Sequence, residues 1–376
     1  MRLRCDRNAL VDKLAILARG VSSRSALPVL SGVLLQAADG RLDLFSTDME
    51  LSIKASLATA VDEAGDTVVP ARLFSDVVRN LPSDEVLIET EAVGDGAGGS
   101  VLVSAGNAKF HLNAWAASDF PQVSAFDMSE CFQVPREPFV ATLAKVGRAA
   151  SRDETRPILT GVLVSMGEGS LKMVATDSYR LGVRQAHLEG GPGAEVQAIV
   201  PVKALSEVAR LATGAEREAI DVVIGENQAL FGFGDVVVAT RLIDGQFPNY
   251  KQLLPEAYEH EVVLDKEELL GVARRVGLLA QKNAPLRLRF GEGTLTVRAI
   301  TQDVGQAEES LAVDYDGDEF EIGFNHVYLI DGIEAVDGDK VSLKLITPLR
   351  PGLVSGVEGE AAADFLYLIM PIRLSG

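Results

Sequence analysis

"RPILTGVLV" (156–164) rewrites, nearly residue for residue, "LPVLSGVLL" (27–35). The register continues outward without a gap, because "STDMELSI" (46–53) then faces "ATDSYRLG" (175–182). Further along, "VVPARLFSDVVRNL" (68–81) matches "IVPVKALSEVARL" (199–211), and "SDFPQV" (118–123) matches "GQFPNY" (245–250). A third copy is fainter. "LDKEELLGVARRVGLLA" (264–280) follows the pattern of "VPREPFVATLAKVGRAA" (134–150), and "IGFNHVYLIDGIEAV" (322–336) stands where the other copies place the helix after "VP". The period far exceeds the roughly 20 to 50 residues of solenoid repeats, so each copy is expected to be a domain with its own core. Small drifts in offset put the insertions in loops. The predicted domains are 1–128, 129–256 and 257–376.

Every copy shows the same succession of hydrophobic periods. Leu10, Leu14, Leu17 and Val21 recur at helical spacing in the first copy, as do Phe139, Leu143, Val146 and Ala150 in the second. Alternating stretches bounded by glycine turns follow, such as "GSLKMVA" and "GTLTVRA", and these read as antiparallel strands. A shorter helix comes after each "VP". The six helical windows are 6–25, 71–81, 136–156, 202–212, 265–283 and 325–336. The predicted class is α+β, with two helices and antiparallel sheets in each of three similar domains.

The chain has 376 residues, of which 47% are hydrophobic and 24% charged, so it can fill two or three cores. Its 35 basic residues against 54 acidic ones give a net charge of -19, which opposes nucleic-acid binding. The distribution answers that objection, since the helical windows are net basic and the acidic excess lies elsewhere. Arg72 and Arg79 are seven residues apart, as are Lys203 and Arg210 at the matching places in copy two. Lys145, Arg148 and Arg152 fall opposite the apolar stripe of their predicted helix. Recurrence through the copies sets these cations apart from an ordinary solvated face, and a surface of this kind attracts phosphates.

Chemistry is harder to find. "DYDGDEFE" (314–321) has its glycine in the wrong place for a calcium loop and reads as a hairpin turn. "VGDGAGGS" (93–100) lacks the Lys-Ser/Thr of a phosphate loop and reads as a hairpin loop. The four histidines lie far apart in sequence, and Cys5 and Cys131 form no metal-like spacing. No catalytic, metal or cofactor site is expected. The lack of a long apolar run or leader, with so few cysteines, predicts a reducing, cytoplasmic setting.

"LPVLSGVLL", "STDMELSI", "ATDSYRL", "IDGQFPNY" and the terminal "LIMPIRL" (368–374) together resemble the bacterial sliding clamp, the beta subunit of DNA polymerase III. The resemblance runs from Met1 to Leu374. It implies a non-enzymatic processivity factor: a head-to-tail homodimer closing a ring of six domains around duplex DNA, without sequence specificity. DNA polymerase, clamp loader and other replication or repair proteins would be held through short hydrophobic motifs. Arg24 matches a DNA-contacting position of the family. The loop at 153–158 matches another, with Pro157 and Ile158 where aromatic residues are common. Arg275 joins Arg72, Arg79, Lys145, Arg148, Arg152, Lys203 and Arg210 as a DNA-facing candidate.

The same resemblance places a peptide pocket between copies two and three. From copy two it takes Leu159, Thr176, Ser178, Tyr179, Arg180 and Leu181. The linker adds Pro248 and Leu253, with Gln252 where the family often has arginine. The C-terminus completes it with Leu368, Met370, Pro371, Ile372, Arg373 and Leu374, and Ser375 and Gly376 run past the usual end. Apolar side chains with two arginines would form a greasy groove with a charged lip. Phe110 and Leu112 of copy one and Leu278 and Leu279 of copy three match the family's dimer contact; each is alternatively an ordinary core residue.

Two other function classes compete. A scaffold that never encloses DNA has no use for basic pairs repeated on equivalent helices. An unrecognised enzyme should concentrate polar differences between the copies, and none are concentrated.

Overall fold

The computed structural model describes the chain apart from residues 23–25, 92–98, 123–125, 168, 216, 281–283, 358–363 and 375–376. Along copy one, β1 (Arg2–Asp6) runs directly into α1 (Arg7–Leu17). Then come β2 (Gly32–Ala38), β3 (Arg41–Thr47), β4 (Leu51–Ala58), β5 (Ala60–Glu63), β6 (Gly65–Pro70), α2 (Ala71–Arg79), β7 (Glu85–Glu91), β8 (Gly99–Ala105) and β9 (Ala108–Ala114). Copy two has β10 (Phe132–Pro135), α3 (Arg136–Val146), β11 (Gly161–Gly167), β12 (Ser170–Thr176), β13 (Arg180–His187), β14 (Val196–Pro201), α4 (Val202–Gly214), β15 (Ala219–Ile224), β16 (Gln228–Gly232) and β17 (Val236–Arg241). Copy three has β18 (His260–Asp265), α5 (Lys266–Gly277), β19 (Leu286–Gly291), β20 (Thr294–Thr301), β21 (Gly305–Ala312), β22 (Phe320–Phe324), α6 (His326–Ala335), β23 (Lys340–Leu345), β24 (Gly352–Gly356) and β25 (Phe365–Ile369).

The repeat is therefore finer than its threefold wording. Apart from β5, each copy is a strand–helix–three-strand unit written twice. The leading strands β1, β10 and β18 are short and were not separated from the helical windows by sequence, because strand and helix share one junction residue. Asp6 is such a residue: it ends β1 and its carboxylate accepts the Ala9 amide hydrogen, capping α1. Asp265 does the same for α5 through the Glu268 amide. Inside α1 the predicted stripe of Leu10, Leu14 and Leu17 is buried.

Two compact units form, one from Met1–Arg136 with Lys203–Leu242, the other from Glu137–Val202 with Ile243–Gly376. The first holds a five-stranded sheet, β5-β1-β7-β8-β9, and an eight-stranded one, β10-β15-β16-β17-β4-β3-β2-β6. The second holds an eight-stranded sheet, β14-β11-β12-β13-β25-β24-β23-β18, and a four-stranded one, β21-β20-β19-β22. In each large sheet, four strands of one copy join four of the next. β4 pairs antiparallel with β17, Ile53 opposite Val238, and β13 pairs with β25, Leu181 opposite Leu368. β9 and β21 end their sheets with no further strand beside them among the described residues.

Two expectations need correction. The first helices of the copies stop at Leu17, Val146 and Gly277, short of their windows. Ala150 and Ala280 stay buried beyond the α-helix ends, so the apolar period ran on through tighter i→i−3 turns that also pack against the core. Gly147 and Gly277 mark two of those stops, as expected of a poor helix former. "DYDGDEFE" is not a hairpin turn, since β21 and β22 lie on opposite edges of their sheet and the segment connects those edges. The loop at 93–98 falls outside the described residues, although β7 and β8, which flank it, are paired with Glu91 opposite Ser100.

Helix α6 is fastened to the second large sheet by a buried cation. Arg180 on β13 has a side chain only 11% exposed; its Nε donates to Asp177 at 3.0 Å and its Nη1 to Asp331 of α6 at 2.5 Å. The same nitrogen donates to the Tyr367 hydroxyl at 3.1 Å, and the guanidinium lies 4.3 Å from the Tyr328 ring centre. Burial alone would lower the guanidinium's proton affinity, but Tyr367, Asp331 and Asp177 raise it. Removing one partner of such a group costs more than replacing the whole pair by apolar residues. Asp331→Ala is expected to destabilise the chain by roughly 2–4 kcal/mol in urea unfolding, and Arg180→Met combined with Asp331→Leu by less. A double variant at least as unstable as the single one would refute this account.

Candidate functional site

The basic pairs of the first unit sit where helical geometry puts them. α2 buries Ala71, Phe74, Val77 and Val78, which leaves Arg72 and Arg79 exposed on the opposite face. Neither has an ion-pair partner within 4 Å among the described residues. α4 likewise buries Ala204, Leu205, Val208 and Ala212 and exposes Lys203 and Arg210. Arg210 lies 4.0 Å from Glu207, whose carboxylate is already engaged by Arg19 at 3.1 Å. Two helices thus present matched cations on their exposed faces.

The second unit departs from expectation. Lys145 and Arg148 do not form an open basic face. Lys145 is largely buried, paired with Asp337 and set over the Phe365 ring, and burial lowers its pKa. Arg148, in the turn after α3, pairs with Glu334 and lies 3.8 Å from Asp331. Arg274 also reaches Glu334, at 2.7 Å, and Arg275 makes a two-pronged contact with Glu309 at 3.0 and 2.6 Å. Arg152 is exposed but lies beyond the helix. Glu309 lies on β21, and the other acidic groups responsible, Asp331, Glu334 and Asp337, belong to or follow α6. That window holds no basic residue, and this was the available signal that it would serve as counter-charge. Arg24 lies outside the described residues.

The Thr-Asp turns explain why the repeat preserves those letters. In copy two the Thr176 hydroxyl donates to the Arg180 carbonyl at 2.7 Å, and Asp177 accepts the amides of Tyr179 and Arg180 at 2.9 and 3.0 Å. Ser178 takes a left-handed φ of 78°. The turn presents Tyr179, 59% exposed, and returns the chain to β13. From there alternation separates the expected pocket residues onto two faces. Leu181 and Leu368, each nearly fully buried, join an apolar cluster against which Ile158, Ile243, Phe247, Tyr250 and Leu254 pack. Arg180 faces the other way, toward α6, and is not a lip of that groove.

The remaining pocket candidates differ in exposure. Pro248, Leu253, Met370 and Arg373 are exposed, Pro371 and Ile372 partly so, and Leu159 is buried beneath them. The last residues are not an added strand. β25 ends at Ile369, after which the Met370 amide donates to the Tyr179 carbonyl and the Ile372 amide to Gly323, both at 2.8 Å. Leu374 packs so closely on Gly323 that an added Cβ would lie 2.6 Å from it. Ser375 and Gly376 lie outside the described residues.

The four expected dimer residues also divide. Phe110 is 38% exposed on β9 and Leu278 is 83% exposed just beyond α5, whereas Leu112, 4% exposed, is committed to its own core. Leu279 is partly buried. A cleft of about 700 Å³ that sequence reasoning missed opens beside Arg152, Arg156, Tyr179, Asn325 and Tyr328. No helix among the described residues is long and apolar enough to cross a membrane.

Comparison with known proteins agrees with this architecture along the whole chain. The N-terminal, central and C-terminal domains of the DNA polymerase III beta subunit match residues 1–124, 133–249 and 251–373. The Beta sliding clamp of Streptomyces coelicolor is 34% identical, with both chains fully covered, and that of Synechococcus elongatus 32%, also with full coverage. Among solved structures, the Bacillus subtilis DNA polymerase sliding clamp superposes with a TM-score of 0.92 at 26% identity, covering both chains in full. The C. crescentus beta sliding clamp gives 0.91 at 31% identity, covering 100% of this chain and 99% of its own. The chain belongs to the DNA polymerase III beta subunit family, the bacterial beta sliding clamps.

Proposed function

We propose that two copies of this chain close a ring around duplex DNA and tether the replicative polymerase and other partners, with no catalytic step of their own. The observation that carries this reading is the sheet topology. Neighbouring copies are joined strand to strand inside each unit, while β9 in the first unit and β21 in the second end their sheets with no further strand beside them among the described residues. A free edge is a template for strand addition. Pairing β9 of one protomer with β21 of another, head to tail, makes a heterologous contact that closes after two chains if the rotation permits. Phe110 and Leu278 supply exposed apolar surface for that contact, with Leu279 beside it. The domains of this clamp are taken as 1–128, 129–256 and 257–376, and its setting as the cytoplasm.

A ring that slides must hold phosphates without reading bases. Arg72, Arg79, Lys203 and Arg210 suit that task, since helix-borne cations act through a hydrated gap within a Debye length of about 8 Å. Arg24, Arg152 and the 153–158 loop are auxiliary contacts in this reading. Lys145, Arg148 and Arg275 would contribute only by releasing their own carboxylates. The acidic remainder of the surface repels DNA and keeps the contact inside. Partner segments with hydrophobic anchors dock over Leu181 and Leu368, between Pro248, Leu253 and Met370.

Loaded protein should stay on closed circular DNA and run off linear DNA; equal retention on both would favour a scaffold that never encloses DNA. Reversing Arg72, Arg79, Lys203 and Arg210 to Glu should weaken retention and flatten its salt dependence while the dimer persists. Wild-type affinity at low salt would refute the assignment of these helices.

Deleting Met370 to Gly376 should abolish binding of hydrophobic polymerase and loader peptides and leave a dimer that still encloses DNA. Each buried anchor is worth roughly 1.5–3 kcal/mol, so losing the rim that covers two of them costs several powers of ten in affinity. Peptide titration with sizing separates the outcomes. Unchanged affinity would exclude the pocket, and an unfolded monomer would show that the segment chiefly braces β22.

A further inference from the structure

The Thr-Asp turn of copy one is built like that of copy two, and it also borders a pocket. Thr47 donates to the Leu51 carbonyl at 3.2 Å, Asp48 accepts the amides of Glu50 and Leu51 at 3.0 and 2.7 Å, and Met49 has a left-handed φ of 80°. β17 pairs with β4 as β25 pairs with β13, so Ser52 opposite Ala239 stands where Leu181 stands opposite Leu368. By the same registers Arg241 takes the place of Met370 and Glu50 that of Tyr179, and the sequence repeat sets Pro121 against Pro248. A pocket of about 50 Å³ opens among these residues, with Gln122, Gln228 and Thr240 in its wall.

The backbone frame is thus conserved between the two junctions while the chemistry is inverted. Where the second has Leu181 and Leu368, the first has Ser52 and Ala239, with Gln122, Gln228 and Thr240 beside them, and the volume admits a few waters or a single side-chain head group. Arg241 and Glu50 are cross-strand neighbours, the Arg241 amide donating to the Glu50 carbonyl at 3.0 Å. Yet their side chains form no ion pair with each other, and neither has another ionic partner among the described residues. A cation and an anion held on one rim without touching favour a ligand group that both accepts and donates. A carboxylate would meet Glu50, and an ammonium would meet Arg241. A carboxamide satisfies both, its oxygen accepting from Arg241 and its nitrogen donating to Glu50.

We infer that the first junction is a second docking site, taking a partner protein's extended segment through a glutamine or asparagine side chain. The inference rests on the reading of the second junction as a peptide groove.

Two octapeptides of serine and threonine test it on the full-length isotope-labelled protein, one with a central glutamine and one with leucine there. The glutamine peptide should shift the amide signals of Ser52, Gln122, Thr240 and Arg241 saturably and leave those of Leu181 and Leu368 in place. Arg241→Ala should weaken this binding roughly tenfold, as for one lost charge-assisted hydrogen bond. A free acetylated glutamine amide should bind more weakly than the octapeptide; equal binding would make this a small-amide site and overturn the peptide assignment. The inference also fails if no saturable shift occurs up to millimolar peptide, if leucine serves equally well, or if Arg241→Ala changes nothing. A peptide with two apolar anchors, titrated separately, reports on Leu181 and Leu368. Its failure to bind would count against the second groove and is read from different signals.

Discussion

Antiparallel pairing across the copy boundaries is the constraint on which the rest of the structure depends. A four-stranded half-sheet leaves one row of amides and carbonyls unsatisfied at its joining edge. In β4 with β17, and in β13 with β25, that row is spent on the neighbouring copy. The boundary between copies is therefore not a flexible linker but a continuous ladder. Each joint carries apolar side chains straight across, Ile53 to Val238 and Leu181 to Leu368. The register is fixed because a slip of one residue would turn those side chains to the opposite face.

The same joints decide where polar chemistry can go. Every strand crossing a joint shows alternate residues to the two faces, so one residue can join an apolar cluster while its neighbour anchors a helix. Leu181 and Arg180 divide the work in this way. The cost of burying Arg180 is met by Asp177, Asp331 and Tyr367, and α6 is held in place as a result. Glu334 and Asp337 continue that role by binding Arg148, Arg274 and Lys145. Helix α6 thus acts as the counter-ion of its unit, whereas Arg72 and Arg79 of α2 in the other unit have none among the described residues. An abundance of basic helix residues does not by itself make a phosphate-binding face. The decisive quantity is how many remain unpaired.

Much of this was legible in the sequence, for identifiable reasons. The repeat, the α+β class and the apolar stripes followed from spacing, because periodic burial is written directly into residue order. Helix ends were overrun where Ala150 and Ala280 prolonged the apolar period past the α-helical turns into i→i−3 turns. The pairing of Lys145 with Asp337 and of Arg148 with Glu334 joins residues nearly two hundred positions apart, and no local pattern encodes it. The face of Arg180 was misjudged for a related reason. Alternation separates it from Leu181, but only the position of Asp331 reveals which side holds the helix. Leu112 shows the limit of transferring a role by position, since its side chain is consumed by its own core.

The two Thr-Asp turns show how a repeated fold can acquire distinct surfaces without altering its frame. Their hydrogen bonds and left-handed residues coincide, so the backbone at both junctions is set by Thr47 with Asp48 and by Thr176 with Asp177. The side chains presented there are free of that duty. Leu368 can become Ala239, and Met370 can become Arg241, without disturbing a ladder made only of backbone groups. Divergence is therefore cheapest at these rim positions, which are also the ones a docked segment would touch. A chain that joins its copies through backbone hydrogen bonds can vary the side chains beside each junction, because the ladder itself is indifferent to which residues stand at these rim positions.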